Sequence, residues 1–140
     1  MQRNYRGQRV DTKEWVYGYL TKSRTSPRNS EPPYTLQWVI DHEENGVMLT
    51  SFVIPETVGQ STGLPDKNGK EIYKGDIIIY CNEKALVIWN ECGYELQWLS
   101  KQCYYREELF FWATERKISI IGNIYDNPEL LQEVDNGFNR

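Results

Sequence analysis

The sequence has few of the residues from which catalytic, metal-binding and disulfide-bonded sites are built. Its 140 residues include one histidine and three cysteines, and no apolar run approaches the roughly 20 residues of a membrane span. An odd set of cysteines is unusual for a secreted, disulfide-bonded domain, and the first ten residues lack the apolar core of a signal peptide. We therefore expect a protein of a reducing cytoplasm, without a membrane span.

The balance of charge also falls short of what a general nucleic-acid binder needs. Lys and Arg number 16 against 20 Asp and Glu, which gives a formal net charge of −4. Proteins that bind phosphate backbones irrespective of sequence are usually basic, so the composition disfavours this class. The length fits one domain or two small subdomains.

Aromatic residues are what the sequence has in excess. Trp, Tyr and Phe number 5, 10 and 4, and together they make up 14% of the chain. Aromatic side chains favour the half-buried surfaces of β-sheets. A hydrophobic content of 39% excludes a low-complexity chain and argues against full disorder. The composition therefore predicts a folded, β-rich protein.

Alternation of apolar side chains predicts strands in the first half of the chain. The expected elements are, in order, a strand at 15–20, a mobile loop at 21–33, a strand at 36–40, a turn at 41–46 and a strand at 47–54. Residues 55–76 then form a glycine-rich connector that contains the hairpin signal Asp66-Lys67-Asn68-Gly69. Within the connector, the Asp76 carboxylate is available to backbone N–H groups at the turn that leads into the next strand.

The second half is more regular. Five short strands are predicted, with a longer polar excursion at 100–108, and they lie at 77–80, 85–89, 94–99, 109–113 and 118–121. Strands of this length joined by tight turns can close into a small barrel. A short C-terminal helix is predicted from Asn127, which can act as its cap, followed by Pro128 and Glu129 in the first turn. The chain then divides into an N-terminal β region with the connector, residues 1–70, and the barrel with the helix, residues 71–140, which can also form one compact unit.

No catalytic or metal-binding residue is predicted. His42 lies in the polar run 41–46, which a solvent-exposed turn explains without any chemistry. The cysteines at 81, 92 and 103 recur at intervals of eleven but form no Cys-x-x-Cys pair, the usual basis of a zinc site. The run that begins at Asp66 fails as a calcium loop because Glu71 stands where that loop requires glycine. We therefore predict no cofactor.

A binding face made of aromatic residues is the remaining candidate site. Tyr94 and Trp98 share a face of their predicted strand, and most aromatics of the second half fit a core. Tyr104, Tyr105 and Arg106 lie in a polar loop and are the least core-like group. The predicted binding residues are Tyr104, Tyr105, Arg106 and Trp98.

Four blocks of the sequence resemble the YopX family, in family order and across nearly the whole chain. They are WVYGYL at 15–20, VGQSTGL at 58–64, DKNGKEIYKGDI at 66–77 and IGNIYDNPELL at 121–131. The resemblance implies an all-β protein with an SH3-like barrel in its C-terminal part, a smaller N-terminal β region and a short C-terminal helix. It also implies an origin in phages, prophages or other mobile elements, hence a bacterial host cytoplasm, and it transfers no enzymatic activity.

The leading hypothesis is a non-enzymatic accessory protein that binds a host or phage protein through its β surface. The first alternative is a nucleic-acid-binding module that uses the barrel and the arginine-bearing N-terminal segment. The second alternative is a small hydrolase or nucleotide-handling enzyme. Salt-dependent nucleic-acid binding would support the first alternative, and a metal held by His42 or the cysteines would support the second.

Overall fold

The structure, a computed structural model, describes residues 5–25, 35–91, 93–99, 104–114 and 117–131, with the backbone alone at 24–25, 35–36 and 104–106. The chain divides into two compact units, Met1–Gln60 and Ser61–Arg140. Both units are built mainly of antiparallel strands, which confirms the all-β prediction. In the described part of the chain, no helix is both long and apolar enough to cross a membrane.

The first unit is an antiparallel sheet in which β4 forms one edge. Its strands are β1 (Tyr5–Gln8), β2 (Trp15–Thr25), β3 (Thr35–Glu44), β4 (Val47–Phe52) and the start of β5 (Gly59–Pro65). Across the sheet the strands follow the order β4-β3-β2-β1-β5. A 3₁₀ turn, Pro55–Thr57, precedes β5.

Strand β2 is longer than the sequence predicted. It pairs with β3 in continuous register from Tyr19 opposite Asp41 to Thr25 opposite Thr35. The start of the predicted loop at 21–33 is therefore strand, because backbone pairing with β3 outweighs its polar composition. The rest of that loop, from residue 26, lies outside the described residues.

The predicted turn at 41–46 is also mostly strand. β3 continues to Glu44, and Asn45 and Gly46 alone form the turn to β4. These two residues have φ values of 52° and 81°, as the central pair of a type I′ hairpin turn requires. The Asn-Gly pair thus moves the turn to the end of the polar run, and the preceding polar residues become part of β3.

The core of the first unit is small. Its main cluster of buried hydrophobic residues consists of Val16, Ile40 and Val53, with partly buried residues around them. Val39 is buried as well. β2 and β3 approach closely at Gly18, where a β-carbon would overlap the carbonyl oxygen of Asp41. Glycine is therefore required at this position by space rather than by backbone angle.

The second unit is an open five-stranded sheet with a short helix. Its elements are the end of β5, β6 (Glu71–Tyr73), β7 (Asp76–Tyr80), β8 (Glu83–Asn90), β9 (Gly93–Leu99), β10 (Tyr104–Glu108), α1 (Leu109–Thr114) and β11 (Ser119–Asn123). The strand order is β10-β9-β8-β7-β11, with β10 and β11 at the two edges. Over the residues described, neither this sheet nor the first one closes into a barrel, so the predicted SH3-like barrel is not confirmed.

Two predictions for the second unit are wrong. The segment predicted as a strand at 109–113 is helix α1, which buries Leu109 and Ala113, four residues apart, and exposes Phe110 and Phe111. This is helical spacing, whereas a strand would alternate. The predicted polar excursion at 100–108 contains β10, which pairs with β9 from Tyr104 to Glu108.

The connector forms turns that carboxylates hold in place. Asp76 accepts a hydrogen bond from the backbone N–H of Tyr73 at 2.8 Å, which confirms the role predicted for it. The predicted hairpin at 66–69 joins β5 to β6, and the N–H of Asp66 donates to the carbonyl oxygen of Lys70 at 2.8 Å. Gly69 has a φ of 84° in this turn.

The start of the predicted C-terminal helix is present. Residues 129–131 are helical, and the N–H of Leu130 donates to the carbonyl oxygen of Asn127 at 3.1 Å. Residues 132–140 lie outside the described part of the chain.

Candidate functional site

The structure does not describe a surface formed by the four predicted binding residues. Trp98 is 2% exposed in the core of the second unit, and its ring meets that of Trp112 edge to face at 5.1 Å between centroids. Tyr104, Tyr105 and Arg106 lie in β10, opposite residues 97–99 of β9, and their side chains lie outside the described part of the chain. A binding role for these four residues stays a prediction.

A cavity of about 390 Å³ does lie beside that region, within the second unit. It is lined by Leu64, Gly93, Tyr94, Glu95, Glu107, Glu108, Leu109 and Phe110. Two of its carboxylates have protein donors: Glu95 accepts from the Asn90 amide at 2.8 Å, and Glu107 accepts from the Trp112 indole at 3.1 Å. Among the described residues, no group of three His, Cys, Asp or Glu side chains could hold a metal ion.

The prediction of a solvent-exposed His42 is wrong. The residue lies in β3, is 5% exposed, and its Nε2 atom is 2.8 Å from the hydroxyl of Ser51, which is 7% exposed. The two positions are on the same face of neighbouring strands, two pairs apart in the register. The bond therefore satisfies two polar groups within the first unit.

Of the three cysteines that recur at intervals of eleven, the structure describes Cys81 alone. Cys81 is exposed in the turn after β7 and has a φ of 48°. Cys92 and Cys103 lie outside the described residues.

The most exposed apolar surface of the first unit follows β4. Val47, Met48 and Leu49 are exposed in succession, so both faces of this strand carry apolar side chains in solvent. Phe52 continues the surface, and Val10 adds to it from the segment after β1. Apolar side chains clustered in this way mark interaction surfaces more often than scattered ones do.

The outer edge of β4 also presents backbone groups. In a two-residue hairpin the closing pair, Glu44 and Val47, exchanges backbone hydrogen bonds, and the bonded pairs then alternate along the strands. The N–H and C=O groups of Met48, Thr50 and Phe52 consequently point away from β3. The position of Phe52 agrees, because its carbonyl oxygen accepts a hydrogen bond at 3.0 Å from the N–H of Val10, outside the β3–β4 ladder.

The chain after β1 covers one end of this edge. Arg9 forms an isolated bridge with Val53, and the N–H of Ile54 donates to the carbonyl oxygen of Gln8 at 2.8 Å. No described strand pairs with β4 on its outer side at Met48 or Thr50. The open part of the edge is therefore Val47–Thr50, which we call the β4 edge.

A cavity of about 490 Å³ adjoins the covered end. Its lining includes Thr50 and Phe52 together with Val10, Trp38 and Pro55. The ammonium group of Lys22 lies 4.5 Å from the centroid of the Trp38 ring, an arrangement that stabilises the cation. The β4 edge thus leads into an apolar depression within the same unit.

Besides Lys22 on the Trp38 ring, Arg9 lies at this depression, and its charge is neutralised. The guanidinium of Arg9 binds the Asp11 carboxylate at 2.9 Å, and this hydrogen bond raises the pKa of Arg9 and lowers the pKa of Asp11. Both side chains are at the surface, where such a pair contributes little to stability.

The charged residues of β3 and β4 themselves are all acidic. The segment from residue 37 to residue 54 contains Asp41, Glu43 and Glu44 and no Lys or Arg. Asp41 lies opposite Thr50, whose hydroxyl donates to its Oδ1 atom at 2.6 Å, and Glu43 lies opposite Met48. Two carboxylates therefore share a face with the outward-bonding residues of β4.

Comparison with known proteins identifies a family and a fold. The family model described as YopX protein matches residues 4–132, which confirms the resemblance found in the sequence. The crystal structure of protein EF1440 from Enterococcus faecalis is similar, with a TM-score of 0.53 and 20% identity over 94% of this chain and 99% of that one. No curated protein matches the chain. At this identity the similarity to EF1440 supports the fold and says nothing of function.

Proposed function

The chain belongs to the YopX family, and on that premise we propose that it is a non-enzymatic accessory protein that binds another protein through the β4 edge. The observation that carries the proposal is the combination of exposed Val47, Met48 and Leu49 with outward backbone groups on the same strand. An extended segment of a partner can add to such an edge as one more strand, with backbone hydrogen bonds giving affinity and side chains giving specificity.

The physical cost of an open edge supports a binding role. Proteins usually protect edge strands with charged side chains, proline, bulges or a covering segment, because an open edge invites aggregation. Here the chain near Arg9 covers the end at Phe52, while the part between Val47 and Thr50 stays open and apolar. A strand protected at one end and open at the other is consistent with selection for a partner.

The nucleic-acid alternative receives less support from the described arginines. Arg6 is buried, and its guanidinium carbon lies 4.6 Å from the centroid of the Trp15 ring. Arg9 is paired with Asp11. Arg3 lies outside the described residues. A small hydrolase or nucleotide-handling enzyme remains the other alternative, to be tested by a substrate screen.

The setting of this activity is also part of the proposal. Following the resemblance, we place the protein in the cytoplasm of a bacterial host, encoded by a phage, a prophage or another mobile element. We propose in addition that the second unit is the SH3-like part of the family fold, as an open five-stranded sheet.

Site-directed photo-crosslinking tests the proposal. A photoreactive phenylalanine analogue replaces Met48 in one variant and Trp89, on β8 of the second unit, in the control, because both side chains are 53% exposed. Under irradiation in bacterial cells that carry the mobile element, we expect a discrete protein adduct from position 48 and none from position 89. Adducts with nucleic acid, equal adducts from both positions, or none from position 48 would each contradict the proposal.

A further inference from the structure

The β4 edge also indicates the chemistry of the segment that it binds. We infer, resting on the proposed function, that this segment is an extended peptide in which Lys or Arg alternates with apolar residues. Its basic side chains lie on the face of Met48 and Thr50, and its apolar side chains lie on the face of Val47 and Leu49.

The two faces of the β4 edge carry different side chains. Residues at alternate positions of a strand share a face, so Met48 and Thr50 lie beside Glu43 and Asp41 of β3. On the opposite face, Leu49 lies beside His42, which is buried, and Val47 lies beside the exposed Glu44 at the turn. One face of the β4 edge therefore carries the Asp41 and Glu43 carboxylates, and the other carries Val47 and Leu49 with one carboxylate at the turn end.

The side chains of an added strand must be long enough to approach the carboxylates of β3. Neighbouring strands lie about 4.8 Å apart, so an added strand would lie roughly 10 Å from β3. Lys and Arg carry their charge at the end of a long apolar stem, which can lie across Met48 while the charge approaches Glu43. Shorter side chains on that face would not bring a cation to Glu43.

A second copy of the chain fits the β4 edge less well than a basic segment does. Two β4 edges paired with each other would bring together two hairpins, each with Asp41, Glu43 and Glu44 and without any basic residue between positions 37 and 54. The β4 strand of a second copy, VMLTSF, offers these carboxylates no cationic side chain. A basic segment turns the same carboxylates into favourable contacts, so charge complementarity favours it over self-association.

The covered end of the β4 edge limits the length of the bound segment. The bridge between Arg9 and Val53 occupies the edge beyond Ser51, so an added strand pairs over Val47–Thr50 and ends there. We therefore expect recognition of a short segment rather than of a long strand.

Titration of the full-length protein with synthetic peptides tests the inference. The probes are a seven-residue peptide of alternating Lys and Val, a peptide of the same composition with Lys and Val in separate blocks, and an alternating Glu and Val peptide. We expect the alternating Lys peptide to bind most tightly, to shift the amide resonances of Met48 and Thr50, and to protect them from hydrogen exchange. Binding should weaken as salt is added.

Two pairs of variants separate backbone pairing from charge. Met48→Pro removes an outward N–H without removing a bond to β3, as proline on an edge strand allows, and should weaken binding at least about tenfold, whereas Met48→Ala should change it by less. Glu43→Gln should weaken binding about two- to five-fold at low salt, and Glu56→Gln, at an exposed position on the 3₁₀ turn, should leave it unchanged. If Met48→Pro does not fold, the peptide-induced amide shifts of the wild-type protein still show whether the peptide pairs with the β4 edge.

The outcomes distinguish this inference from the proposed function. If position 48 crosslinks to a cellular protein but the Lys peptide binds no better than the Glu peptide, the charge inference is wrong and the binding role stands. If Met48 and Thr50 are protected by concentration-dependent dimerisation, the occupant is a second copy and the inference is overturned. If neither crosslinks nor peptide-induced shifts appear at the β4 edge, both proposals are wrong.

Discussion

The carboxylate of Asp66 is predicted to be a main source of stability in the second unit. The residue is 4% exposed and accepts three backbone hydrogen bonds. Its Oδ1 atom receives the N–H groups of Asn68 and Lys70, both at 2.9 Å, within the turn between β5 and β6. Its Oδ2 atom receives the N–H of Ile120 at 3.0 Å, which ties the turn to β11, 54 residues further along the chain.

The cost of Asp66→Ala follows from these three bonds. Hydrogen bonds to a charged group contribute about 1.5–3 kcal/mol each when they are buried. Asn68 and Lys70 are exposed, so water can replace part of their bonds, and we assign about 1 kcal/mol to each. Ile120 is partly buried, and we assign it about 2 kcal/mol, which gives a total of about 4 kcal/mol. Asp66→Asn keeps one acceptor oxygen but turns an amide N–H₂ toward a backbone donor, and should cost about 2 kcal/mol.

Urea unfolding monitored by tryptophan fluorescence measures both losses. Asn68→Ala is the matched control, because it removes the exposed bond from Nδ2 to the Ser119 hydroxyl at 3.0 Å and keeps the backbone N–H that Asp66 accepts. We expect the control to lose about 0.5 kcal/mol. A free energy of unfolding for Asp66→Ala within 1 kcal/mol of the wild-type value, on the order of one ordinary hydrogen bond, would refute the reasoning.

Three further predictions concern the first unit. Gly18→Ala should lower the free energy of unfolding by about 3 kcal/mol or more, since the new methyl group overlaps a backbone carbonyl of β3, and a loss below about 1 kcal/mol in thermal unfolding would contradict this. Ser51→Ala should cost about 1–3 kcal/mol because it leaves the buried His42 ring nitrogen without its hydroxyl partner, as measured in the same experiment. The pKa of Asp11, followed by NMR, should lie below its ordinary value of 3.8 and return toward it in Arg9→Gln. The stabilisation from this pair is then present above about pH 4 and is lost as the pH falls through the lowered pKa of the folded state.

Local patterns predicted much of the strand content because they reflect local physics. The hairpin at Asp66-Lys67-Asn68-Gly69 and the strand at Ile77 were found from turn chemistry and apolar runs, and both are present. The segment at Leu109 has an apolar run that fits a strand and a helix equally well. Tertiary packing decides for the helix there, because Leu109 and Ala113 reach the core while Phe111 stays exposed, whereas a strand would place all three on one face.

His42 shows why polar composition alone misplaced a buried residue. Its neighbours Asp41 and Glu43 point to the other face of β3, so the run 41–46 looks polar although one of its side chains is inside. When the buried residue of such a run is itself polar, the sequence shows no alternation of apolar and polar residues that would distinguish a strand from a turn. The partner that makes its burial tolerable, Ser51, lies nine residues away and becomes visible once the β3–β4 register is known.

The β4 edge was not predicted as a binding site from the sequence, for a related reason. The strand at 47–54 was found from its apolar residues, and an apolar strand is ordinarily expected to bury one face. Sheet order determines instead that Val47, Met48 and Leu49 stay exposed, because β4 is the last strand and the segment near Arg9 covers its far end alone. A further strand beside β4 would pair with its outward backbone groups and pack its own side chains against these hydrophobic residues, and a partner segment supplies that strand. The side chains of β4 thus have the composition of a central strand in an edge position, which is the physical basis for placing the binding function there.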